Sequence, residues 1–184
     1  MKKQISIFLD RDGIINQQIE NDYVKSIPEF VFRPDFLSEI QYLANSSNFI
    51  IVVTNQQGIG KKRMTQEALQ KIHDYMVSET IAVGGRIDAV YHCPHLIDQN
   101  CNCRKPKTGM IEQAFKDFPK LKQDILIMIG DSPGDIEAAK SAGLISVGMI
   151  KYKNDNRFQD INPDYIIESL AQLRTEVLPA ILNN

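Results

Sequence analysis

The chain reads ISIFLDRDG over residues 5–13, an apolar run that ends at two aspartates two positions apart. A short run of β-branched and large apolar residues is typical of a buried strand. Residues i and i+2 of an extended segment point the same way, so Asp10 and Asp12 can face one pocket, while Gly13 lets the chain turn. One carboxylate can then attack a substrate while the other transfers protons. The alternative is an ordinary strand-ending turn, which Asp and Gly also favour.

Similar apolar runs alternate with helical patterns along the rest of the chain. Strands are predicted at 5–9, 49–53, 87–91, 125–129 and 145–150. Helices are predicted at 35–45, 65–81 and 109–118, the last with Thr108 as N-cap. The polar segment 151–163 is predicted to be a loop before a final strand and helix. This alternation predicts a single α/β domain over residues 1–184, with a parallel sheet sandwiched by helices.

Polar residues follow three of the predicted strands, at Asp10, Thr54 and Asp131. Ligands of open parallel sheets bind beyond the carboxyl ends of the strands, so we expect these side chains to meet there. Asp131 and Asp135, together with Asp10, would form an oxygen-rich site suited to Mg²⁺. The alternative for residues 131–135 is a capped helix start, and Asp135 can serve in both ways.

Three further residues have the chemistry that a phosphate group requires. Thr54 offers a hydroxyl, Asn55 amide donors and Lys105 a positive charge. Each has an ordinary explanation by itself, since Thr-Asn after a strand is commonly a turn and a lysine before a proline is commonly solvated. Their combination with the aspartates favours binding of a small phosphorylated substrate.

All three cysteines lie in one short segment with a histidine, at Cys93, His95, Cys101 and Cys103. Three thiolates and one imidazole form a complete tetrahedral ligand set for a structural Zn²⁺. A disulfide framework is disfavoured because the cysteines are so close in sequence. The loop 93–103 is therefore predicted to bind zinc and to hold the segment that leads into Arg104 and Lys105.

The amino-acid composition limits the kinds of partner that the chain is expected to bind. The chain has 184 residues, 43% of them hydrophobic, and a formal net charge of −2. Such a chain can bury a sizeable core but carries no basic surface for nucleic acid, which is therefore not an expected partner. The apolar stretch before Asp10 is too short for a secretion signal or a membrane span, so no membrane partner and a cytoplasmic location are expected. No assembly device is evident, and a monomer is expected.

Four ordered motifs of the chain resemble the signatures of the haloacid dehalogenase-like phosphatases. They are Asp-Arg-Asp-Gly at 10–13, Thr-Asn-Gln at 54–56, Arg-Lys-Pro at 104–106 and Gly-Asp at 130–131. The resemblance covers residues 4–150 and implies a Rossmann-like, haloacid dehalogenase-like fold with a minimal cap. One departure is Ile14, where the family usually has Thr or Val, and we expect this side chain to pack in the core.

The resemblance also implies roles for individual residues. Asp10 would be the nucleophile and a Mg²⁺ ligand. Asp12 would be the general acid and base, and its main-chain carbonyl would meet the Mg²⁺. Thr54 and Lys105 would bind phosphate, and Asp131 would be a further Mg²⁺ ligand.

The zinc loop followed by Arg104 narrows the resemblance to two groups, the D-glycero-D-manno-heptose-1,7-bisphosphate phosphatases and the histidinol-phosphate phosphatases. Asn16 and the segments 22–30 and 107–110 favour the heptose group, and Asn16 and Arg104 are candidate substrate-binding residues. The short gap within the zinc loop is closer to the histidinol group. Lys61 stands near the position where an arginine is expected.

The resemblance therefore favours a Mg²⁺-dependent phosphatase that removes the 7-phosphate of a heptose 1,7-bisphosphate, with histidinol phosphate as the alternative substrate. A non-enzyme alternative is a receiver-like switch, in which a phosphorylated aspartate persists. Asp12 argues against a switch, because a second positioned carboxylate speeds hydrolysis.

Overall fold

The computed structural model describes residues 4–183, and six strands within them form one sheet. The strands are β1 (Ile5–Leu9), β2 (Ile50–Asn55), β3 (Ala89–Cys93), β4 (Ile125–Gly130), β5 (Ile145–Met149) and β6 (Tyr165–Ile167). All neighbours pair in parallel, in the order β3-β2-β1-β4-β5-β6. The predicted α/β class and parallel sheet are confirmed. Residues 1–3 and Asn184, which the single-domain prediction includes, lie outside the described residues.

Helices connect the strands and cover both faces of the sheet. The four longest are α1 (Pro34–Ser46), α2 (Gln66–Ala82), α3 (Gly109–Asp117) and α4 (Pro133–Ser141). A C-terminal helical segment runs as α-helix over Leu170–Gln172, π-helix over Leu173–Val177 and α-helix over Leu178–Leu182. Among residues 4–183, no helix is both long enough and apolar enough to cross a lipid bilayer.

The helix starts show which capping predictions hold. The Thr65 hydroxyl accepts a hydrogen bond from the Ala68 N–H at 3.1 Å and so caps α2. Thr108 precedes α3 as predicted, but its hydroxyl donates to the Glu112 carboxylate and makes no cap bond to the backbone. Thr108 is therefore the N-cap residue of α3, as predicted, but without a side-chain cap bond.

The buried side chains of the strands alternate between two cores, because successive side chains point to opposite faces of the sheet. Ile7 and Leu9 belong to a core that also contains side chains of α1 and α2. Phe8 belongs to a second core, with side chains of α3 and α4. Ile14 is fully buried in the first core, which confirms the packing expected of it. The two cores hold the sheet rigidly between helical layers.

Strand β3 begins two residues later than predicted. The Asp88 carboxylate accepts a hydrogen bond from the Ile50 N–H at 2.7 Å, and the Asp88 N–H donates to the Ile50 carbonyl at 2.8 Å. Asp88 thus ties the approach to β3 onto the start of β2, and Cys93 becomes the last residue of the strand.

The strand order places the predicted site. The chain moves from β1 through β2 to β3 on one side, then crosses to β4 on the other side of β1. Such a reversal of strand order opens a crevice at the carboxyl ends of the strands, and ligands of this fold class bind there. Asp10, Thr54 and Asp131, at the ends of β1, β2 and β4, surround that crevice.

Candidate active site

Asp10 lies directly after β1 and is 8% exposed. Lys105 Nζ donates to Asp10 Oδ1 at 2.7 Å, to the Val53 carbonyl at 2.7 Å, and lies 2.6 Å from Asp135 Oδ1. The ammonium group therefore bridges two carboxylates. Its hydrogen bond to the Val53 carbonyl fixes its position relative to β2. Lys105 is 5% exposed, so its charge acts on Asp10 with little screening by solvent.

Three buried carboxylates, those of Asp10, Asp131 and Asp135, have oxygen atoms within 4.8 Å of one another. Gly13 allows this approach, since a Cβ atom there would lie 2.2 Å from Asp131 Oδ2. Asp135 Oδ2 also accepts hydrogen bonds from the Ser132 N–H and hydroxyl, at 3.0 and 2.6 Å. Asp135 thus caps α4, as one interpretation predicted, and its other carboxylate oxygen faces the carboxylate cluster.

The crowding and burial of these carboxylates raise the pKa values of two of them. Burial raises the pKa of Asp10 to about 8, and the charges of Asp135 and Asp131 add to the rise while Lys105 opposes it. Burial and the Asp135 charge raise the pKa of Asp131 to about 6. Hard oxygen donors that repel one another in a buried site suit a divalent cation such as Mg²⁺, which would offset the repulsion. The three carboxylates therefore fit a magnesium ion.

The raised pKa values predict that the magnesium-free protein loses stability as the pH rises. The folded state holds protons on Asp10 and Asp131 that the unfolded chain releases above about pH 4. Their contribution to stability is therefore full below about pH 4 and is lost as the pH rises through about 6 and about 8. We expect the melting temperature in magnesium-free buffer to fall by at least about 3 °C between pH 5 and pH 8.5, roughly the effect of 1 kcal/mol.

Thermal melts across this pH range, with and without Mg²⁺, test the prediction. Added Mg²⁺ should stabilise the protein most at the alkaline end, where the carboxylates are ionised. The variant Asp131→Asn should flatten the magnesium-free profile, whereas Asp160→Asn, in an exposed loop position, should leave it unchanged. A magnesium-free melting temperature that rises from pH 5 to pH 8.5 would contradict the interpretation.

Asp12 has a different environment from Asp10. Arg11 Nη2 donates to both Asp12 carboxylate oxygens at 2.8 Å, and the Asn16 and Gln56 side-chain amides each donate at 2.9 Å. Burial opposes ionisation, but the Arg11 charge and these hydrogen bonds outweigh it and hold the pKa of Asp12 below its ordinary value. Two aspartates two residues apart therefore have pKa values shifted in opposite directions, which suits them to different chemical roles.

Arg11 was missed by the sequence prediction. Its side chain is fully buried, and Nη1 lies 3.4 Å from His73 Nε2, which can only accept from a guanidinium. Burial, with the charge of Arg11, lowers the pKa of His73 to about 3, so the ring stays neutral. His73 and Arg11 together support Asp12 from inside the fold. Nothing local in the sequence distinguishes Arg11 from an exposed turn arginine.

Asn16 differs from expectation. It is fully buried, and its amide donates to Asp12 Oδ1 and to the Gln17 carbonyl. The structure places it behind Asp12 and not among the residues that line the cavity, so the contact that it makes at the site is with Asp12. The isolated bridges that Asn16 forms with Asp12 and Phe32 explain this burial, because they fold the chain back over the residue.

A cavity of about 180 Å³ opens above the carboxylates. Its walls contain most of the predicted site residues, namely Asp10, Asp12, Thr54, Asn55, Lys105 and Asp131. Asn55 also clamps Lys105, because its amide donates to the Lys105 carbonyl and accepts from the Lys105 N–H, each at 3.1 Å. The outer wall comes from Gln18, Ile19, Asp22, Tyr23 and Val24, so most of the segment 17–24 shapes the opening.

Arg104 is not among the residues that line this cavity. Its Nη1 atom is buried and, within residues 4–183, has no hydrogen-bond partner. Lys61 lies at the rim, with Nζ 5.5 Å from the centre of the Tyr23 ring. Neither Arg104 nor Lys61 therefore lines the cavity above the carboxylates.

The predicted zinc ligands come together at the end of β3. The Sγ atoms of Cys93, Cys101 and Cys103 and the His95 Nδ1 atom form contacts of 3.2–3.6 Å. Ligand atoms about 2.0–2.3 Å from a tetrahedral zinc ion lie roughly 3.5 Å apart, so this donor set fits a metal ion. The same loop supports the site, because the Cys93 carbonyl accepts from the Gln56 N–H at 2.7 Å.

Several known proteins are similar to this chain in sequence. The HAD-hydrolase-like family model matches residues 102–173. A D-glycero-beta-D-manno-heptose-1,7-bisphosphate 7-phosphatase of Neisseria meningitidis serogroup A is 38% identical over 137 residues, 74% of this chain and 72% of that protein. A D-glycero-alpha-D-manno-heptose-1,7-bisphosphate 7-phosphatase of Mycobacterium bovis is 36% identical over 136 residues, again 74% of this chain and 72% of that protein.

A solved structure agrees with these sequence relatives. The D,D-heptose 1,7-bisphosphate phosphatase of B. bronchiseptica, complexed with magnesium and phosphate, superposes with a TM-score of 0.84 at 30% identity. The match covers 95% of this chain and 98% of that one. The chain therefore belongs to the haloacid dehalogenase-like hydrolases, in the family of the heptose-1,7-bisphosphate 7-phosphatases, and is a phosphatase.

Proposed function

We propose that this phosphatase is Mg²⁺-dependent and hydrolyses the 7-phosphate of a D-glycero-D-manno-heptose 1,7-bisphosphate. The observation that carries the proposal is the pair Asp10 and Asp12, which face one cavity with pKa values shifted in opposite directions. The relatives named for this substrate supply its identity. They include both anomers, so the anomer that this chain prefers is part of the test.

Asp10 is the proposed nucleophile. One of its carboxylate oxygens forms a bond to phosphorus while the bond from phosphorus to the sugar oxygen breaks, which leaves an aspartyl-phosphate. Lys105, 2.7 Å from Asp10, and the Thr54 hydroxyl line the same cavity and would hold the phosphate oxygens. Asp10, the Asp12 main-chain carbonyl, Asp131 and Asp135 would hold a Mg²⁺ ion, which would neutralise part of the charge of the anionic phosphate.

Asp12 is the proposed proton carrier. It donates a proton to the departing sugar oxygen and then accepts one from the water that hydrolyses the aspartyl-phosphate. Its contacts with Arg11, Asn16 and Gln56 favour the carboxylate form, which is the form that the second step needs. Hydrolysis at this step separates an enzyme from a switch that keeps its phosphate.

The second metal is proposed to be structural. Zn²⁺ bound by Cys93, His95, Cys101 and Cys103 would close the loop that delivers Arg104 and Lys105 to the site. Four protein ligands leave no position for substrate. Arg104 is proposed to bind an anionic group of the substrate, as the resemblance implies, and Asn55 holds the neighbouring Lys105 in place.

A substrate comparison tests the proposal. Phosphate release in the presence of Mg²⁺ is measured with both anomers of heptose 1,7-bisphosphate and with histidinol phosphate, and the values of kcat/KM are compared. We expect a preference of at least about 100-fold for one heptose anomer, the discrimination that roughly 3 kcal/mol provides. A preference for histidinol phosphate would replace the substrate and keep the catalytic residues.

One outcome would change the class of protein, and a separate measurement checks its oligomeric state. A ³²P label that persists on Asp10 without turnover would favour the receiver-like switch. The protein is also proposed to be cytoplasmic and monomeric, as its composition led us to expect. Size-exclusion chromatography with light scattering at micromolar concentration checks the oligomeric state, and a dimer would contradict it.

A further inference from the structure

The polar segment 150–163 is packed against the catalytic edge of the sheet. Phe158 is 3% exposed and lies over Gly148 of β5, where an added Cβ atom would be 2.5 Å from its ring. The Lys140 ammonium of α4 donates to the Ile161 carbonyl at 2.6 Å and also to the Asn162 carbonyl. These two anchors fix the residue that precedes Phe158, which is Arg157.

Arg157 reaches from this segment to Asp131. Its Nη1 atom donates to the Asp131 main-chain carbonyl at 2.6 Å and lies 3.5 Å from Asp131 Oδ2. Within residues 4–183, no other side chain is hydrogen-bonded to Asp131. The contact spans 26 residues of sequence and joins a loop without motif residues to a residue of the proposed magnesium site, chiefly through its main-chain carbonyl.

Asp155 holds the guanidinium in this orientation. Arg157 Nη2 lies 2.7 Å from Asp155 Oδ2, and the Arg157 N–H donates to Asp155 Oδ1 at 3.2 Å. The Lys151 N–H donates to the same carboxylate at 3.3 Å. Because Asp155 balances the charge of Arg157, the guanidinium acts on Asp131 mainly by fixing its position and only weakly by its net charge.

Asp131 needs such support. Gly130 lets Asp135 approach closely, since a Cβ atom added at Gly130 would lie 2.2 Å from Asp135 Cβ. The carboxylates of Asp131 and Asp135 therefore repel each other in a buried site. A main-chain anchor at 2.6 Å resists the displacement of Asp131 that this repulsion favours. Residues that orient a metal ligand commonly change metal affinity about 10–100-fold when removed.

We infer that Arg157 is a positioning residue that holds Asp131 in place for Mg²⁺ and so sets the affinity of the site for the ion. The inference rests on the proposed function only in taking Asp131 as a magnesium ligand. Arg157 is not a catalytic residue, since it reaches the site through Asp131.

Isothermal titration with Mg²⁺ alone tests the inference without any substrate. We expect Arg157→Ala to raise the Mg²⁺ dissociation constant at least about tenfold. Arg157→Lys keeps the charge but loses the two-nitrogen geometry, so we expect a smaller increase of several-fold. In turnover assays at saturating Mg²⁺, kcat of both variants should return to within about threefold of the wild type.

Arg86→Ala is the matched control. Arg86 also pairs with an aspartate two residues away, Asp88, and donates to the carbonyls of Ser47 and Asn48, far from the site in the fold. It should leave the Mg²⁺ dissociation constant unchanged. Circular dichroism checks that each variant is folded, and Arg157→Lys carries the test if Arg157→Ala is not.

Three results would overturn the inference. They are an unchanged or tighter Mg²⁺ dissociation constant in the folded Arg157 variants, an equal loss in Arg86→Ala, and a wild-type protein that binds no Mg²⁺ at millimolar concentration. Failure of the proposed substrate is a separate result, since wild-type protein that binds Mg²⁺ but releases no phosphate leaves the Arg157 comparison intact.

Discussion

Replacement of Asp10 by asparagine is expected to lower kcat by about 10⁴-fold or more, the scale seen when a nucleophile that acts in a concerted group is removed. The amide cannot form the aspartyl-phosphate, and the remaining groups cannot substitute for it. The fold should be retained, because asparagine matches aspartate in size and Lys105 keeps its contact with Asp135 at 2.6 Å.

The same variant makes a second, independent prediction about stability. Asp10 is one of three mutually repelling carboxylates, and burial raises its pKa to about 8. A neutral amide removes that repulsion, so the melting temperature in magnesium-free buffer at pH 8.5 should equal or exceed that of the wild type. Phosphate-release assays and thermal melts measure the two effects, with Asp160→Asn as the control. Near-normal turnover by Asp10→Asn would exclude the proposed nucleophile.

Loss of the metal from the Cys and His cluster is the second large effect expected. His95→Asn should reduce bound zinc from about one ion per chain and lower the melting temperature by about 10 °C, the shift that ~3 kcal/mol produces in a chain of this size. Activity should fall with it, because the Cys93 and Pro94 carbonyls receive the N–H groups of Gln56 and Gly60 at 2.7 and 3.0 Å. Those bonds hold the segment that supports Asp12.

His92→Asn is the matched control for this variant. His92 lies three residues before His95 but outside the metal-binding cluster, and its ring contacts Gln66. Its substitution should leave the zinc content unchanged, whereas Cys101→Ser should reproduce the loss seen with His95→Asn. Elemental analysis of the purified wild-type protein decides the matter first, because a fully folded, active protein without zinc would contradict the structural role.

The residues around the mouth of the cavity differ from the heptose-phosphatase pattern at one position. Lys61 stands where an arginine was expected and lies against the Tyr23 ring, while Arg63 Nη1 donates to Asp22 Oδ1 at 3.2 Å. These contacts connect the segment 61–63 to Asp22 and Tyr23, which line the cavity. The substrate comparison therefore tests the outer wall of the site, whereas the Asp10 variant tests its chemistry.

Much of the fold was predictable because its determinants are local. The β-branched runs before Asp10 and Asp131 mark β1 and β4, and the 3.6-residue stripe over 109–118 marks α3. Predicted limits differ from the observed ones by at most two residues for most of these elements. Strand β3 begins two residues later than predicted because Asp88 makes a side-chain contact with Ile50, which hydrophobic periodicity does not reveal.

The candidate site likewise has features that are local in the sequence and features that depend on contacts between distant residues. Sequence spacing alone singled out the Asp10 and Asp12 pair and the four Cys and His side chains that come together at the end of β3, because period-two alternation and short ligand spacing are properties of a chain segment. It could not identify Arg11 as the buried partner of Asp12, or place Asn16 behind that residue. Both depend on how the turn after β1 packs against α2 and the segment near Phe32.

The sequence by itself thus determined the fold class, the family and the residues with chemical potential. Only the tertiary structure decided which carboxylates repel one another, which are paired, and that Arg157 reaches Asp131 across 26 residues. The physical reason is that periodicity and ligand spacing act within a segment. Desolvation, charge pairing and support of one loop by another depend on distances through space, and these exist only once the chain has folded.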